Sequence, residues 1–263
     1  MSRSHPRSPV AAALLLLVVT AGCALSAPAG PVQPAEIPTP VAAGTSTATP
    51  AAPATPAPPA TAPQVGVARA ALDALTVKGR AALTGYAREA FGVSWRDLDR
   101  NGCDQRNDVL RRDLRDITIK PGTHGCLVLT GTLRSPYSGE TVPFIRGLST
   151  SREVQIDHVV ALGDAWQKGA QQWSPEKRER FANDFLELRA TDMHTNASKG
   201  ARDAATWLPP RKRFRCGYVA RQIAVKQAYG LWVTPAERDA MARVLDACPR
   251  QGLPRRYPIA LGA

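Results

Sequence analysis

The sequence predicts an α+β domain in which a short antiparallel sheet is embellished by several helices. Three observations support this class. The β-prone runs are confined to the middle of the chain, and capped or amphipathic helical segments flank them. Four cysteines are spread over the part of the chain that these runs and helical segments occupy. With 263 residues, the chain is long enough for one or two domains.

Residues 1–23 are typical of an export signal. A short basic start precedes an apolar run over residues 10–19, which is too short to span a bilayer comfortably as a helix. Small residues before Cys23 indicate a lipoprotein signal, in which this cysteine carries a lipid anchor. Thr20 departs from the aliphatic residue usual in such signals, and an ordinary signal peptide cut after Ala29 is the alternative. We therefore expect a protein that is secreted or lipid-anchored on the outer face of the cell membrane.

Residues 24–66 form a Pro/Ala/Thr-rich linker that contains 11 of the 23 prolines. Such a tract buries too little apolar surface to fold, so it predicts an extended, disordered spacer. Residues 67–263, the predicted folded domain, carry almost all the charge, with 32 basic and 21 acidic side chains and a net charge of +11. A domain this basic favours polyanions such as nucleic acid.

The domain begins with a predicted helix over residues 68–90, where Leu72, Leu75 and Leu83 recur among charged neighbours. A short helix is predicted over residues 107–114. The β-prone runs CLVLTGTL and ETVPFIRG are separated by the turn-rich string RSPYSG, and this order predicts an antiparallel hairpin. The string REVQIDHVV predicts a further strand, because its residues alternate between two faces.

The remainder of the chain predicts helices. Ser174 followed by a proline is typical of a helix start. Thr234 and Glu237 have the capping-box spacing of a last helix, which we expect to run to about residue 247. A preceding helix is predicted over residues 218–229.

The cysteines of the domain predict two disulfides. Two helices joined by a short turn pack antiparallel, so Cys216 before the first helix should lie near Cys248 after the second. The remaining pair is then Cys103 with Cys126. A zinc site is disfavoured because no two cysteines have CxxC spacing, and disulfides agree with export.

Four polar residues suggest a metal and phosphate site. Asp157 and His158 lie side by side at the end of a predicted strand, and Asn196 and Lys199 lie in a later helix-like segment. Phosphodiester hydrolysis needs a base that activates water and positive charge on the departing oxygen. Carboxylate and amide oxygens suit a divalent ion, Mg²⁺ first and Mn²⁺ as the alternative.

Longer blocks around these residues resemble HNH nucleases of the ββα-metal type. Within these nucleases, the blocks are similar to a secreted branch related to the nuclease part of modification-dependent restriction enzymes. It covers about residues 70–250, essentially the whole predicted domain. The strings that carry it include GYAREAFG, NGCDQRNDVLRRDL, VQIDHVVALGDAWQKGAQQW, TNASKGARDAATWLPP and RCGYVARQIAVKQAYGLWVTPAER.

The resemblance implies a core of one hairpin and one helix, and it gives a role to each residue. His158 matches the histidine that activates water, Asp157 and Asn196 match the metal ligands, and Lys199 matches a lysine near a phosphate. Taken singly, Asn196 is also read as a helix cap and Lys199 as a solvated lysine.

One position departs from the family pattern. Spacing puts Glu187 where the family usually has an asparagine that braces the loop carrying His158. An ionised glutamate accepts hydrogen bonds but cannot donate them, so it braces the loop through a backbone amide, binds the metal or weakens activity. Asn183 lies nearby in the string FAND, which suggests a role at a helix end.

Two functions from different classes follow. The first is an exported metal-dependent endonuclease acting on DNA or RNA, bound mostly through phosphate contacts. The second is a lipid-anchored nucleic-acid-binding protein with weak or no catalysis on a nuclease scaffold, which the departure at Glu187 keeps open. Membrane contact is expected only through the N-terminal anchor, and no protein partner is inferred.

Overall fold

The computed structural model describes residues 67–254, which form helices and two small antiparallel sheets. The predicted α+β class is confirmed. The predicted signal peptide, the linker and Cys23 lie outside the described residues. The helices are α1 Val67–Asp73, α2 Gln105–Asp113, α3 Leu162–Gln167, α4 Pro175–Ala182, α5 Met193–Lys199, α6 Arg215–Tyr229 and α7 Pro235–Asp246. The strands are β1 Leu114–Ile119, β2 Val128–Arg134, β3 Thr141–Ile145, β4 Val154–His158 and β5 Leu188–Asp192.

The first sheet has the strand order β1-β2-β3. The predicted hairpin is confirmed, since β2 and β3 pair antiparallel with Thr130 opposite Ile145. Strand β1 was not predicted, because Leu114 was assigned to the end of a helix. Helix α2 instead ends at Asp113, and Leu114 begins a strand that pairs with Leu133 of β2.

The second sheet consists of β4 and β5, which pair antiparallel with Val154 opposite Asp192 and His158 opposite Leu188. The prediction of β4 is confirmed. The prediction of only helices after β4 is wrong at β5, where burial of alternate apolar residues against β4 favours a strand. Asp192 ends β5 and caps α5, because its side chain accepts a hydrogen bond from the Thr195 backbone N–H at 2.8 Å.

Helix α1 is much shorter than predicted. It ends at Asp73, and the chain then runs in an irregular path to a short 3₁₀ turn over Arg88–Phe91. Leu83, one of the residues that suggested a helix, is 48% exposed. The Lys78 backbone N–H donates to the Val233 carbonyl at 3.0 Å. Tertiary hydrogen bonds of this kind replace the helical ones that the spacing predicted.

The C-terminal helices and both disulfides agree with the predictions. The Thr234–Glu237 capping box begins α7, and Ser174 caps α4. Cys216 is bonded to Cys248, and Cys103 to Cys126, with Cα–Cα separations of 6.3 and 5.1 Å. For loops of this length, each disulfide stabilises the fold by about 3–4 kcal/mol in the chain-entropy model.

A buried network of charges holds α3, α6 and α7 together. Lys168 donates to Asp164, Asp203 and Glu237 at 2.6–2.8 Å, and Lys226 contacts Asp164 and Glu237 at 3.4 and 3.0 Å. All five side chains are at most 1% exposed, so each charge depends on its partners. No helix within residues 67–254 has the length and apolar character needed to cross a membrane.

Candidate nuclease site

Asp157 and His158 end strand β4 beside a cavity of about 260 Å³. Both residues line this cavity, and both are largely buried, at 5% and 8% exposure. Asn196 of α5 lines it as well. The structure therefore brings together three of the four residues that the sequence singled out.

Each carboxylate oxygen of Asp157 accepts a hydrogen bond. Lys199 Nζ donates to Oδ1 at 2.9 Å, and the hydroxyl of Tyr137 donates to Oδ2 at 2.7 Å. Burial raises the pKa of Asp157, while Lys199 and Tyr137 offset part of this rise. Burial also raises the pKa of Tyr137 well above its usual range, so Tyr137 stays a hydroxyl donor.

His158 is held in one tautomer. Its Nε2 lies 2.9 Å from the carbonyl oxygen of Ala182, the last residue of α4. A carbonyl oxygen only accepts, so Nε2 carries the proton and Nδ1 of the neutral ring carries the lone pair. Burial lowers the pKa of His158 to about 3, and the positive charge of Arg88 acts in the same direction.

Lys199 does not line the cavity. Its side chain is fully buried, and Nζ donates to the backbone carbonyl of His158 at 2.7 Å as well as to Asp157. This placement argues against the predicted phosphate contact. The lysine holds the carboxylate of Asp157 and the backbone of His158 in place.

Asn196 lies inside α5 rather than at its start, so reading it as a helix cap is wrong; Asp192 is the cap. The Asn196 side-chain N–H donates to Gln155 Oε1 at 2.7 Å. This bond fixes the orientation of the amide and leaves its carbonyl oxygen available as a ligand.

The donor set beside the cavity fits a hard cation. Asp157 offers carboxylate lone pairs beyond the two hydrogen bonds that it accepts, and Asn196 offers an amide oxygen. Within residues 67–254, no three His, Cys, Asp or Glu side chains form a metal-binding group. Two protein oxygens completed by water molecules suit Mg²⁺, which keeps much of its hydration shell.

Glu187 braces the loop that follows His158. Its two side-chain oxygens accept from the Val160 backbone N–H at 3.0 and 3.2 Å, and its carbonyl accepts from the Val159 N–H at 2.9 Å. The side chain is fully buried and does not line the cavity. Burial raises the pKa of Glu187 well above its usual range, and the Val160 bond offsets only part of the rise.

Asn183 caps the C-terminus of α4 and braces a different segment. Its amide donates to the carbonyl oxygens of Val93 and Glu179 at 3.0 and 2.9 Å, and it accepts from the Arg96 backbone N–H at 3.1 Å. This segment follows Arg88, an exposed residue that also lines the cavity.

Sequence reasoning assigned no role to Tyr137 or Arg88. Tyr137 lies in the turn between β2 and β3 and reaches Asp157 only through the tertiary fold. Arg88 lies within the string GYAREAFG, whose likeness to the nuclease family was the one signal that pointed to it.

Residues 104–244 match the family model described as the C-terminal domain of GmrSD restriction endonucleases. The chain belongs to this family. A fungal relative from Arthroderma benhamiae, named "Uncharacterized secreted protein", is 35% identical over 188 residues, which are 71% of this chain and 87% of the relative. The GmrSD match includes Asp157, His158 and Asn196, whereas Arg88 lies before it. The match confirms the resemblance to a part of restriction endonucleases that was inferred from the sequence blocks, and it places the chain in a nuclease-related family.

Proposed function

We propose that this protein is an exported endonuclease of the HNH type that hydrolyses phosphodiester bonds in DNA. The supporting observation is a neutral histidine of fixed tautomer that shares one cavity with Asp157 and Asn196. Strands β4 and β5 with helix α5 then correspond to the ββα core, and the other helices hold its loops.

His158 is the base in this proposal. Its Nδ1 takes a proton from a water molecule as the water oxygen bonds to phosphorus. The bond from phosphorus to the 3′-oxygen breaks, and that oxygen takes a proton from solvent. The products are a 5′-phosphate and a 3′-hydroxyl.

A divalent ion held by Asp157 and Asn196 would supply positive charge for the phosphate and the departing oxygen. Lys199 and Tyr137 fix the orientation of the Asp157 carboxylate, because each donates a hydrogen bond to one of its oxygens. Glu187 holds the backbone after His158 in place by accepting a hydrogen bond from the Val160 amide. In the family, an asparagine usually braces the same loop.

The low pKa of His158 is compatible with the role of base. It keeps the ring neutral throughout the physiological range, so Nδ1 is ready to accept a proton. A phosphodiester in the cavity brings negative charge close to the ring, and nearby negative charge raises the pKa of an imidazole. Substrate binding would therefore strengthen the base at the moment of reaction.

Export and nucleic-acid binding rest on separate features. The domain has a net charge of +11, two disulfides and a relative named as secreted. The proposal also includes an N-terminal export signal, with or without a lipid anchor at Cys23, and the nuclease would then act outside the cell or on its outer surface.

A non-catalytic nucleic-acid-binding protein is the second candidate. The observation in its favour is the pKa of about 3 for His158, because a base this weak abstracts protons poorly. Glu187 in the usual place of an asparagine points the same way. This candidate predicts salt-sensitive DNA binding without turnover.

Incubation with supercoiled plasmid separates the two candidates. The proposed nuclease nicks and linearises plasmid with Mg²⁺, and excess chelator stops the reaction. His158→Ala should reduce the rate by at least about 100-fold, as expected for the loss of a general base. His194→Ala is the matched control, because His194 is exposed on α5 and does not line the cavity. Binding without any cutting by the wild-type protein would reject the nuclease.

A further inference from the structure

One arginine borders both of the spaces that open beside His158. Arg88 lines the 260 Å³ cavity together with Asp157 and Asn196. It also lines a water-sized space of about 20 Å³ that His158 and Asn183 border. Among the residues that line these two spaces, Arg88 is the one lysine or arginine.

The guanidinium of Arg88 has no competing partner in the described part of the chain. The residue is exposed, and within residues 67–254 its side chain forms no ion pair and no hydrogen bond. Lys199, in contrast, is fully buried and occupied by Asp157 and the His158 carbonyl. A phosphate in the cavity would therefore meet Arg88 rather than Lys199.

The turn that carries Arg88 is fixed on helix α4. Phe91, three residues later, is 2% exposed and packs against the rings of Phe181 and Trp166, with centroids 6.0 and 6.3 Å away. Arg178 Nε donates to the carbonyl of Ala90 at 2.8 Å. This anchoring limits the freedom of the Arg88 backbone.

Gly92 allows the turn to lie directly on α4. Its φ is +77°, and an added Cβ would lie only 2.7 Å from the Glu179 side chain. Beyond it, Glu179 Oε1 accepts from the Val93 backbone N–H at 2.9 Å, and Asn183 binds Val93 and Arg96. The C-terminus of α4 thus holds this segment through Asn183 and the His158 ring through the neighbouring Ala182 carbonyl.

We infer that Arg88 binds the phosphate that is cut, donating guanidinium N–H groups to its non-bridging oxygens. This inference rests on the proposed nuclease function and adds no bond-making step to it. The planar guanidinium matches two phosphate oxygens at once, and its fixed charge stabilises the negative charge that builds up as water attacks.

Two measurements on Arg88→Ala, Arg88→Lys and Arg243→Ala test this role. Arg243 is the matched control, because it is also exposed but lines a separate groove with Cys216. The first measurement is the single-turnover cleavage rate at saturating DNA with Mg²⁺. The second is the salt dependence of binding to a short DNA duplex in chelator, where no cutting occurs.

Arg88→Ala should cut about 100- to 1000-fold more slowly, the usual effect of losing one preorganised donor to a developing oxyanion. Arg88→Lys should recover part of the rate, since lysine keeps the charge but not the paired donors. The slope of log affinity against log salt should shrink by about 0.9 in Arg88→Ala, as for one phosphate contact. Arg243→Ala should match the wild type in both assays.

The outcomes separate this inference from the nuclease proposal. If the wild-type protein cuts DNA and Arg88→Ala cuts at the same rate, the Arg88 inference is overturned and the nuclease remains. If the wild-type protein does not cut, the nuclease is rejected. In that case an unchanged salt slope in Arg88→Ala overturns the Arg88 inference as well. Urea unfolding at the wild-type midpoint would show that the variant is folded.

Discussion

Replacing Lys199 by methionine distinguishes a buried positioning residue from a phosphate-binding one. The ammonium group is fully buried and binds Asp157 Oδ1 at 2.9 Å and the His158 carbonyl at 2.7 Å. Methionine has a similar length but no charge. Asp157 would then stay buried without its cationic partner, although Tyr137 still donates to its other oxygen.

Breaking a buried ion pair by removing one partner costs about 3–5 kcal/mol. For a domain of roughly this size, 1 kcal/mol shifts the melting temperature by about 2–4 °C, so the expected decrease is about 6–20 °C. Urea unfolding and thermal melts of the wild type and Lys199→Met measure the two quantities directly.

The double variant Asp157→Asn with Lys199→Met is the control. Without the carboxylate no buried charge is stranded, so the double variant should be more stable than the sum of the single changes predicts, by at least about 1 kcal/mol. Wild-type stability in Lys199→Met together with weakened DNA binding would refute the reasoning, because that is the behaviour of an exposed, phosphate-binding lysine.

Three further predictions concern Tyr137, Glu187 and Asp203. Tyr137→Phe removes a buried donor to a carboxylate and should lower the free energy of unfolding in urea by about 1–3 kcal/mol; no change would contradict the role of this bond. The raised pKa of Glu187 means that the folded state binds its proton more tightly than the unfolded state, so its contribution to stability falls as pH rises. Glu187→Gln should therefore gain stability relative to the wild type between pH 4 and pH 7, and a constant difference in melting temperature would oppose this account. Burial raises the pKa of Asp203, but the hydrogen bond and charge of Lys168 outweigh it and leave the pKa below its ordinary value. The ionised carboxylate of Asp203 therefore stabilises the folded state above the unfolded pKa, and this stabilisation is lost as pH falls through the folded pKa. The melting temperature of Asp203→Asn should then depend less on pH between 4 and 2 than that of the wild type.

Local signals in the sequence were sufficient for several elements. Ser174 and Thr234 mark helix starts by their own side chains, and alternation along β4 depends on neighbouring residues only. The pairing of Cys216 with Cys248 followed from two helices joined by a short turn. Signals of this kind predict the observed elements correctly because they require no distant partner.

Strand β5 and helix α1 show where such signals are insufficient. The string LRATD is short and carries two charged residues, and it becomes a strand because β4 pairs with it and the core buries Leu188 and Ala190. The helical spacing after Asp73 is overruled by hydrogen bonds to Val233 and Gln167. Tertiary contacts decide both cases, and they are not visible in a single sequence.

At the candidate site, the sequence indicated which residues meet but not how each is used. Asp157, His158 and Asn196 line one cavity, as their blocks suggested. A lysine is rarely fully buried, so nothing in the sequence pointed to Lys199 as the buried partner of Asp157. Tyr137 and Arg88 come from distant segments, and only the packing of the β2–β3 turn and of α4 brings them to the site.

Chemical rescue of a histidine-free variant tests the central claim most directly. His158→Gly leaves room for free imidazole beside Asp157, and the cleavage of plasmid DNA with Mg²⁺ is measured with and without added imidazole. We predict that cutting is lost in the variant and partly restored by imidazole, whereas His194→Gly cuts normally and does not respond. Cutting by His158→Gly at the wild-type rate without imidazole would contradict the assignment of His158 as the base.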